Sequence, residues 1–145
     1  MGFPSAARGR AVVSCVLADG TRSTPKLIES FDLKTSADAV VDQLEDLAKA
    51  LSSKIAGLSL DGAVVRTADF APVASRRAAA AQRLLIEGAL LLVCRSRLAN
   101  VNARNGKEVG EALAIAKKDV IARGRSLDAR RPDAVAAALS ALPDN

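Results

Sequence analysis

The sequence predicts an α/β domain in which helices pack on a mixed sheet led by an antiparallel hairpin. Two apolar runs separated by a turn come first, and segments of helical periodicity then alternate with short strand-like runs. The 145 residues are enough for one domain with its own core. Residues 1–9 are small, polar and contain Gly and Pro, so we expect a loose tail followed by a single domain over residues 10–145.

The predicted hairpin joins a Val-rich strand, Arg10–Ala18, to a second strand, Lys26–Leu33. The residues between them, including Asp19, Gly20 and Pro25, are typical of a turn. Because the first strand is apolar on both faces, we expect it to be a central strand of the sheet.

A first helix is predicted after the hairpin, with a cap at Ser36, an early acid at Asp38 and an end at Gly57. Glu45 and Lys49 lie four residues apart in the order that favours an ion pair on the exposed face. The apolar positions recur at helical spacing: Val40, Val41, Leu44, Leu47, Ala48, Leu51 and Ile55.

Turn residues divide the second half of the chain into further elements. We expect a strand, a long helix, a weak strand, a helix that ends at Gly124, and a final helix. Their ranges are 63–67, 75–98, 99–103, 107–123 and 132–143. The long helix should have a basic N-terminal half and a buried C-terminal half, since Glu87 is the one charged residue in Leu84–Cys94.

Composition excludes several classes of protein. The chain has no histidine, which rules out His-ligated zinc and Ser-His-Asp or Cys-His catalysis. Cys15 and Cys94 lie in apolar runs, so we expect buried, reduced thiols. The N-terminus lacks a signal-peptide core, and Leu84–Cys94 is too short to span a bilayer. We therefore expect a cytoplasmic protein with no membrane partner.

The order of elements and several motifs resemble the RuvC-type Holliday junction resolvases of the RNase H-like superfamily. The resemblance covers most of residues 58–142 and implies an RNase H-like mixed sheet. It rests on five segments: Ala63–Thr67, Ser75 through Ala89, Val101–Val109, Lys117–Val120 and Arg131–Ala136.

In the resembled family, four carboxylates hold two Mg²⁺ ions that activate water and stabilise the leaving oxygen of a phosphodiester. The first of the corresponding positions falls near Ser14 or Cys15, and the others fall at Arg66, Asp133 and Ala136. Three of the four carboxylates are therefore missing. Because the sequence departs from the family at these positions, we expect a site without metal or cofactor, in which Arg66 takes the place of the cations and pairs with Asp133.

The charge distribution favours nucleic-acid binding. Lys and Arg number 21 against 16 acidic residues, and the surplus lies in the later half of the chain. With no Trp or Tyr, the chain lacks a platform for stacking bases, so contacts should be to the backbone of duplex or branched DNA. The candidate nucleic-acid-binding residues are Arg76, Arg77, Arg83, Arg104, Lys107, Lys117, Lys118, Arg123 and Arg125.

The sequence thus predicts a non-catalytic, RuvC-like domain that binds duplex or branched nucleic acid. One alternative is a divergent Mg²⁺-dependent junction endonuclease that uses Asp61, Asp69 and Asp133 as weak candidate ligands. Another is a structural or adaptor protein that binds a protein partner. The apolar surfaces of the long and final helices either belong to the core or form a homodimer, as helices do in the resembled resolvases.

Overall fold

Four strands and five helices make up residues 10–69 and 78–144, the ranges that the computed structural model describes. The predicted tail over residues 1–9 and the predicted helix start at Ser75 lie outside the described residues. In chain order the elements are β1 (Val12–Gly20), β2 (Pro25–Lys34), α1 (Val40–Ala56), β3 (Ala63–Arg66), α2 (Ala78–Arg97), β4 (Val101–Arg104), α3 (Gly106–Leu113), α4 (Lys117–Arg125) and α5 (Pro132–Ala141).

The strands form two pairs. The predicted hairpin is confirmed, because β1 and β2 pair antiparallel, with Ser14 opposite Asp32. β3 and β4 pair in parallel, with Arg66 beside Arg104. The prediction of a central first strand is wrong for the described residues, since β1 is hydrogen-bonded to β2 alone. The helix α5 contacts both β1 and β3 and so holds the two pairs together.

The core has a layer on each side of the strands. Leu47, Leu51 and Ile55 of α1 pack with the buried face of α2 and with the inner side chains of β1 and β3. On the other side, Val16 packs against α5. The predicted burial of the thiols is confirmed: Cys15 and Cys94 are free, and burial raises the pKa of each to about 11.

The first helix begins later than predicted. Its N-cap is Ala39, which makes no side-chain cap, rather than Ser36. The preceding segment is held by other bonds: the Thr35 hydroxyl donates to Asp46 and accepts from the Ala37 N–H, while the Gln43 amide donates to the Asp38 carbonyl. The predicted end at Gly57 is correct, and Lys49 Nζ lies 2.5 Å from Glu45 Oε1.

The single helix predicted over residues 107–123 is in fact two helices, α3 and α4. Ala114 adopts a left-handed conformation with φ of 57° and ends α3. Gly124 does not end α4 but lies within its last turn, where a Cβ would come within 1.9 Å of the Pro132 carbonyl oxygen. The glycine is therefore needed for the close crossing of α4 and α5.

The C-terminal half of α2 is buried on one face only, which corrects the prediction of a buried half-helix. Ile86, Leu90 and Cys94 are fully buried, whereas Leu84 and Leu92 are 62% and 71% exposed. Among the described helices, none has both the length and the apolar character needed to cross a membrane.

Candidate functional site

Arg66 lies at the end of β3 with its guanidinium between two carboxylates. The residue is 7% exposed. Its Nη2 is 3.7 Å from Asp69 Oδ2, and its Nε is 3.9 Å from Asp133 Oδ1. Its Nη1 also donates to the carbonyl oxygen of Thr67. The contact between Arg66 and Asp133 expected from the sequence is therefore present, and the guanidinium that makes it is buried.

Asp69 connects the segment after β3 to two later helices. Its Oδ1 accepts a hydrogen bond of 2.9 Å from the N–H of Gly106, the first residue of α3, and its Oδ2 is 3.1 Å from Lys117 Nζ of α4. Burial disfavours the charged carboxylate, but the Gly106 hydrogen bond and the charges of Lys117 and Arg66 outweigh it and lower the pKa of Asp69. Asp69 therefore binds α3 and α4 as a charged carboxylate.

Asp133 lies in the first turn of α5, directly after Pro132. Burial raises its pKa, although the positive charges of Arg66 and Arg83 act in the opposite direction. The carboxylate is thus partly desolvated and has the guanidinium of Arg66 as its neighbour.

A second guanidinium lies beside the position expected for the first-strand carboxylate. Ser14 of β1 stands opposite Asp32 of β2, and Asp32 receives two hydrogen bonds of 3.0 and 3.3 Å from Arg131. Arg131 also lies 3.5 Å from Asp128. The Arg131 hydrogen bond lowers the pKa of Asp32 against the effect of burial, with a further contribution from Ser14. Sequence reasoning missed Asp32, which the hairpin register places opposite Ser14.

Ala136, the fourth expected ligand position, does not face this site. It is fully buried and packs against Val109 of α3 and Val120 of α4. Across residues 10–69 and 78–144, no three His, Cys, Asp or Glu side chains lie close enough to hold a metal ion.

The acidic residues of the nuclease alternative do not converge. Asp61 is exposed in the turn that precedes β3, whereas Asp69 follows the other end of that strand. Of these three acids, Asp69 and Asp133 lie together, with Arg66 between them. Within the described residues, Asp61 therefore does not form a cluster with Asp69 and Asp133 that could hold a metal ion.

Glu87 is a buried acid that sequence reasoning did not assign to the site. Its Oε1 accepts hydrogen bonds from the Ala68 N–H at 2.8 Å and from Arg83 Nε at 2.9 Å. It thereby fixes the segment between β3 and Asp69 against α2. An acid within an apolar helix run was the available signal, because a buried charge requires partners.

The candidate nucleic-acid-binding residues fall into three groups. Arg83, Arg104 and Arg123 are part-buried and bound to Glu87, Ser140 and the Arg22 carbonyl, respectively. Arg76 and Arg77 lie outside the described residues. The exposed members are Lys107, Lys117, Lys118 and Arg125.

The architecture is shared by solved structures of RuvC, two of which are compared below. The chain matches a structure of Thermus thermophilus RuvC with a TM-score of 0.66 and 17% identity, over 96% of this chain and 90% of that one. It matches T. thermophilus RuvC in complex with a Holliday junction substrate with a TM-score of 0.67 and 20% identity, over 96% and 89%.

No family model and no curated protein matches the sequence. The likeness is therefore one of fold, and it confirms the predicted fold class and the resemblance at that level. The chain has the RNase H-like fold of RuvC.

Proposed function

We propose that the chain is a non-catalytic, RuvC-like domain of the cytoplasm that binds duplex or branched DNA through its backbone. The observation that carries this proposal is the buried guanidinium of Arg66 between Asp69 and Asp133. Arginine stays protonated at any physiological pH, so it supplies a permanent positive charge where a nuclease of this fold would need divalent cations.

The loss of catalysis follows from the chemistry of the donor set. Mg²⁺ requires near-octahedral oxygen coordination and must keep positions for water and the phosphate. Asp69 is already bound by Gly106 and Lys117, and Asp133 faces Arg66. A guanidinium donates hydrogen bonds but is not a Lewis acid, so it cannot coordinate a water molecule and lower its pKa to produce the attacking hydroxide.

Binding to DNA is supported by exposed cations on α3 and α4. Lys107 and Lys117 lie in the first turns of these helices, near the Asp69 and Arg66 site, and Lys118 follows on α4. Such contacts neutralise phosphates without reading bases. The matched RuvC complex contains a Holliday junction substrate, which supports branched DNA as the ligand.

We further propose that two copies of the chain associate through α2. Leu84, Leu85 and Leu92 form an exposed apolar stripe, and a Cβ at Gly88 within it would meet no atom within 4 Å. The stripe is uncharged and can pair with its own copy about a two-fold axis. A dimer would present two basic surfaces to the arms of one junction.

The decisive experiment incubates the full chain with a labelled four-way junction, with and without Mg²⁺. We expect a mobility shift in both conditions and intact DNA strands, with affinity that falls as salt rises. Cleavage in Mg²⁺ would support the nuclease alternative and refute the loss of catalysis. No shift on a junction, duplex or RNA would refute DNA binding and favour an adaptor.

A further inference from the structure

A cleft separates the two strand pairs, and Arg66 is not among the residues that line it. β1 and β3 are not hydrogen-bonded to each other in the described residues, and the space between them forms a cavity of about 870 Å³. The residues from Cys15 to Gly20 of β1 line one side. Cavities of this size are typical of small-molecule sites.

One part of the cleft is apolar. Leu51 and Ile55 of α1 line it together with Phe31 of β2. Ile28 of β2 also lines the cleft and is 55% exposed. An apolar ligand group in the cleft would remove this surface from water.

Two arginines line the same cleft at the C-terminal end of α5. Arg22 Nη2 donates to the Ser140 carbonyl oxygen at 3.0 Å, and Arg104 Nη1 donates to the same oxygen at 2.5 Å. One carbonyl, at a helix end with about half a negative charge, thus faces two full positive charges. Within the described part of the chain, the one carboxylate ion-paired with these arginines is Asp144, which is 82% exposed and bound to Arg22 Nη1.

The cationic pair retains unused hydrogen-bonding capacity. The Nε of Arg22 is buried and has no hydrogen-bond partner among the residues that the structure describes. Burial, and to a lesser extent the nearby charge of Arg22, lowers the pKa of Arg104. Two guanidinium groups that converge on one carbonyl oxygen repel each other, and an anion bound to both would relieve this repulsion.

We propose that this cleft binds a small amphipathic organic acid. Its carboxylate lies against Arg22 and Arg104, and its apolar body lies between β1 and β3 over Leu51, Ile55 and Phe31. Guanidinium groups suit this head group because they bind carboxylates through two parallel hydrogen bonds. Arg66, Asp69 and Asp133 do not line this cleft, so the proposal does not rest on the loss of catalysis at that site.

The test uses the full chain with 8-anilinonaphthalene-1-sulfonate, a fluorescent amphipathic anion, and dodecanoate as the competitor. We expect one probe molecule per chain, displacement by dodecanoate, and no displacement by neutral dodecan-1-ol at equal concentration. Arg22→Ala should weaken dodecanoate binding by roughly tenfold, the loss expected for a charge-assisted hydrogen bond.

A second variant keeps the test independent of α5, whose end Arg22 also binds. Ile28→Glu places a negative charge on the exposed wall of the cleft and should weaken dodecanoate binding. Val41→Glu is the matched control, because Val41 is 74% exposed on α1 and does not line the cleft; it should bind dodecanoate as the unmodified chain does.

Three results would overturn the proposal. The first is equal dodecanoate affinity in the unmodified chain, Arg22→Ala and Ile28→Glu. The second is displacement of the probe by dodecan-1-ol as effectively as by dodecanoate. The third is protection of the β1 amides from hydrogen exchange that grows with protein concentration alone, which would assign the cleft to a second copy of the chain.

Discussion

Gly106 lies directly against the guanidinium of Arg66: a Cβ at residue 106 would come within 2.6 Å of Arg66 Nη2. The same side chain would also lie 3.3 Å from Asp69 Oδ1. The first residue of α3 is thus shaped to admit an arginine at the end of β3. The absence of a side chain at Gly106 therefore leaves the space that the guanidinium of Arg66 occupies.

Gly106→Ala should therefore destabilise the chain through its clash with Arg66, by about 1–3 kcal/mol. In an Arg66→Met background, Gly106→Ala should lower the free energy of unfolding by less, because the flexible methionine side chain can move away from the added Cβ. Urea unfolding of the two single variants and the double variant measures this coupling. Equal costs of Gly106→Ala in both backgrounds would contradict the contact, since the gain in helix propensity is the same in each.

Arg66→Glu should make the stability of the chain depend on divalent cations. It places three carboxylates together, which repel one another until a metal ion binds. For a dissociation constant near 1 mM, 10 mM Mn²⁺ would stabilise this variant by about 1.4 kcal/mol. Thermal unfolding with and without Mn²⁺ is the measurement. The matched control is Arg66→Gln, and a similar response from that variant would show that the introduced carboxylate is not a ligand.

Lys118→Ala combined with Arg125→Ala should weaken binding to a four-way junction and to duplex of any sequence. The two residues are seven apart on α4 and share one exposed face. The slope of log affinity against log salt should become less steep by about 0.9 for each lost phosphate contact. Lys26→Ala with Lys34→Ala on β2 removes the same charge elsewhere. If this control weakens binding as much, α4 is not the interface.

Leu84→Glu combined with Leu92→Glu should convert the proposed dimer to a monomer. Charges on the exposed face of α2 would have to be desolvated for that face to pair with its copy. Light scattering after size-exclusion chromatography gives the mass. Val41→Glu, which alters an exposed apolar residue of α1, should leave the mass unchanged. A monomeric unmodified chain would exclude the α2 dimer.

Asp32→Asn should reduce the loss of stability in acid. The Arg131 hydrogen bond holds the pKa of Asp32 below its ordinary value, so the contribution of the charged carboxylate to folding is present above the unfolded pKa of about 3.9. It disappears as pH falls through the lowered folded value. Urea unfolding from pH 7 to pH 3 should therefore show a shallower decline in this variant.

The matched control for this measurement is Asp42→Asn, which replaces an exposed acid in the first turn of α1. The decline in acid should be shallower in Asp32→Asn than in Asp42→Asn. If Asp32→Asn declines equally steeply, the pair with Arg131 does not contribute to stability at neutral pH.

Local chemistry explains which elements could be predicted from the sequence. The hairpin follows from turn residues between two apolar runs, and α1 follows from apolar spacing and the end at Gly57. The break at Ala114 could not be predicted, because alanine is a good helix former and rarely adopts positive φ. The break allows Val109 of α3 and Val120 of α4 to pack together against Ala136 of α5, a contact between distant segments.

The candidate site was likewise predicted only in part. The alignment of the sequence motifs pointed to Arg66 and Asp133 and to the contact between them. It could not show that Arg131 pairs with Asp32, 99 residues away, or that Asp61 lies apart from Asp69. Contacts at such separation depend on how helices are placed on strands, which no local pattern specifies.

The sequence alone determines which charged groups the candidate site can contain. Residues 14, 66 and 136 carry no carboxylate, and the chain has no histidine that could replace one as a metal ligand. Packing in three dimensions was needed to place guanidinium groups between the remaining acids, to leave one face of α2 exposed, and to open a cleft between β1 and β3. The chemistry of each side chain is local to its position, whereas burial and proximity arise when distant segments pack against one another.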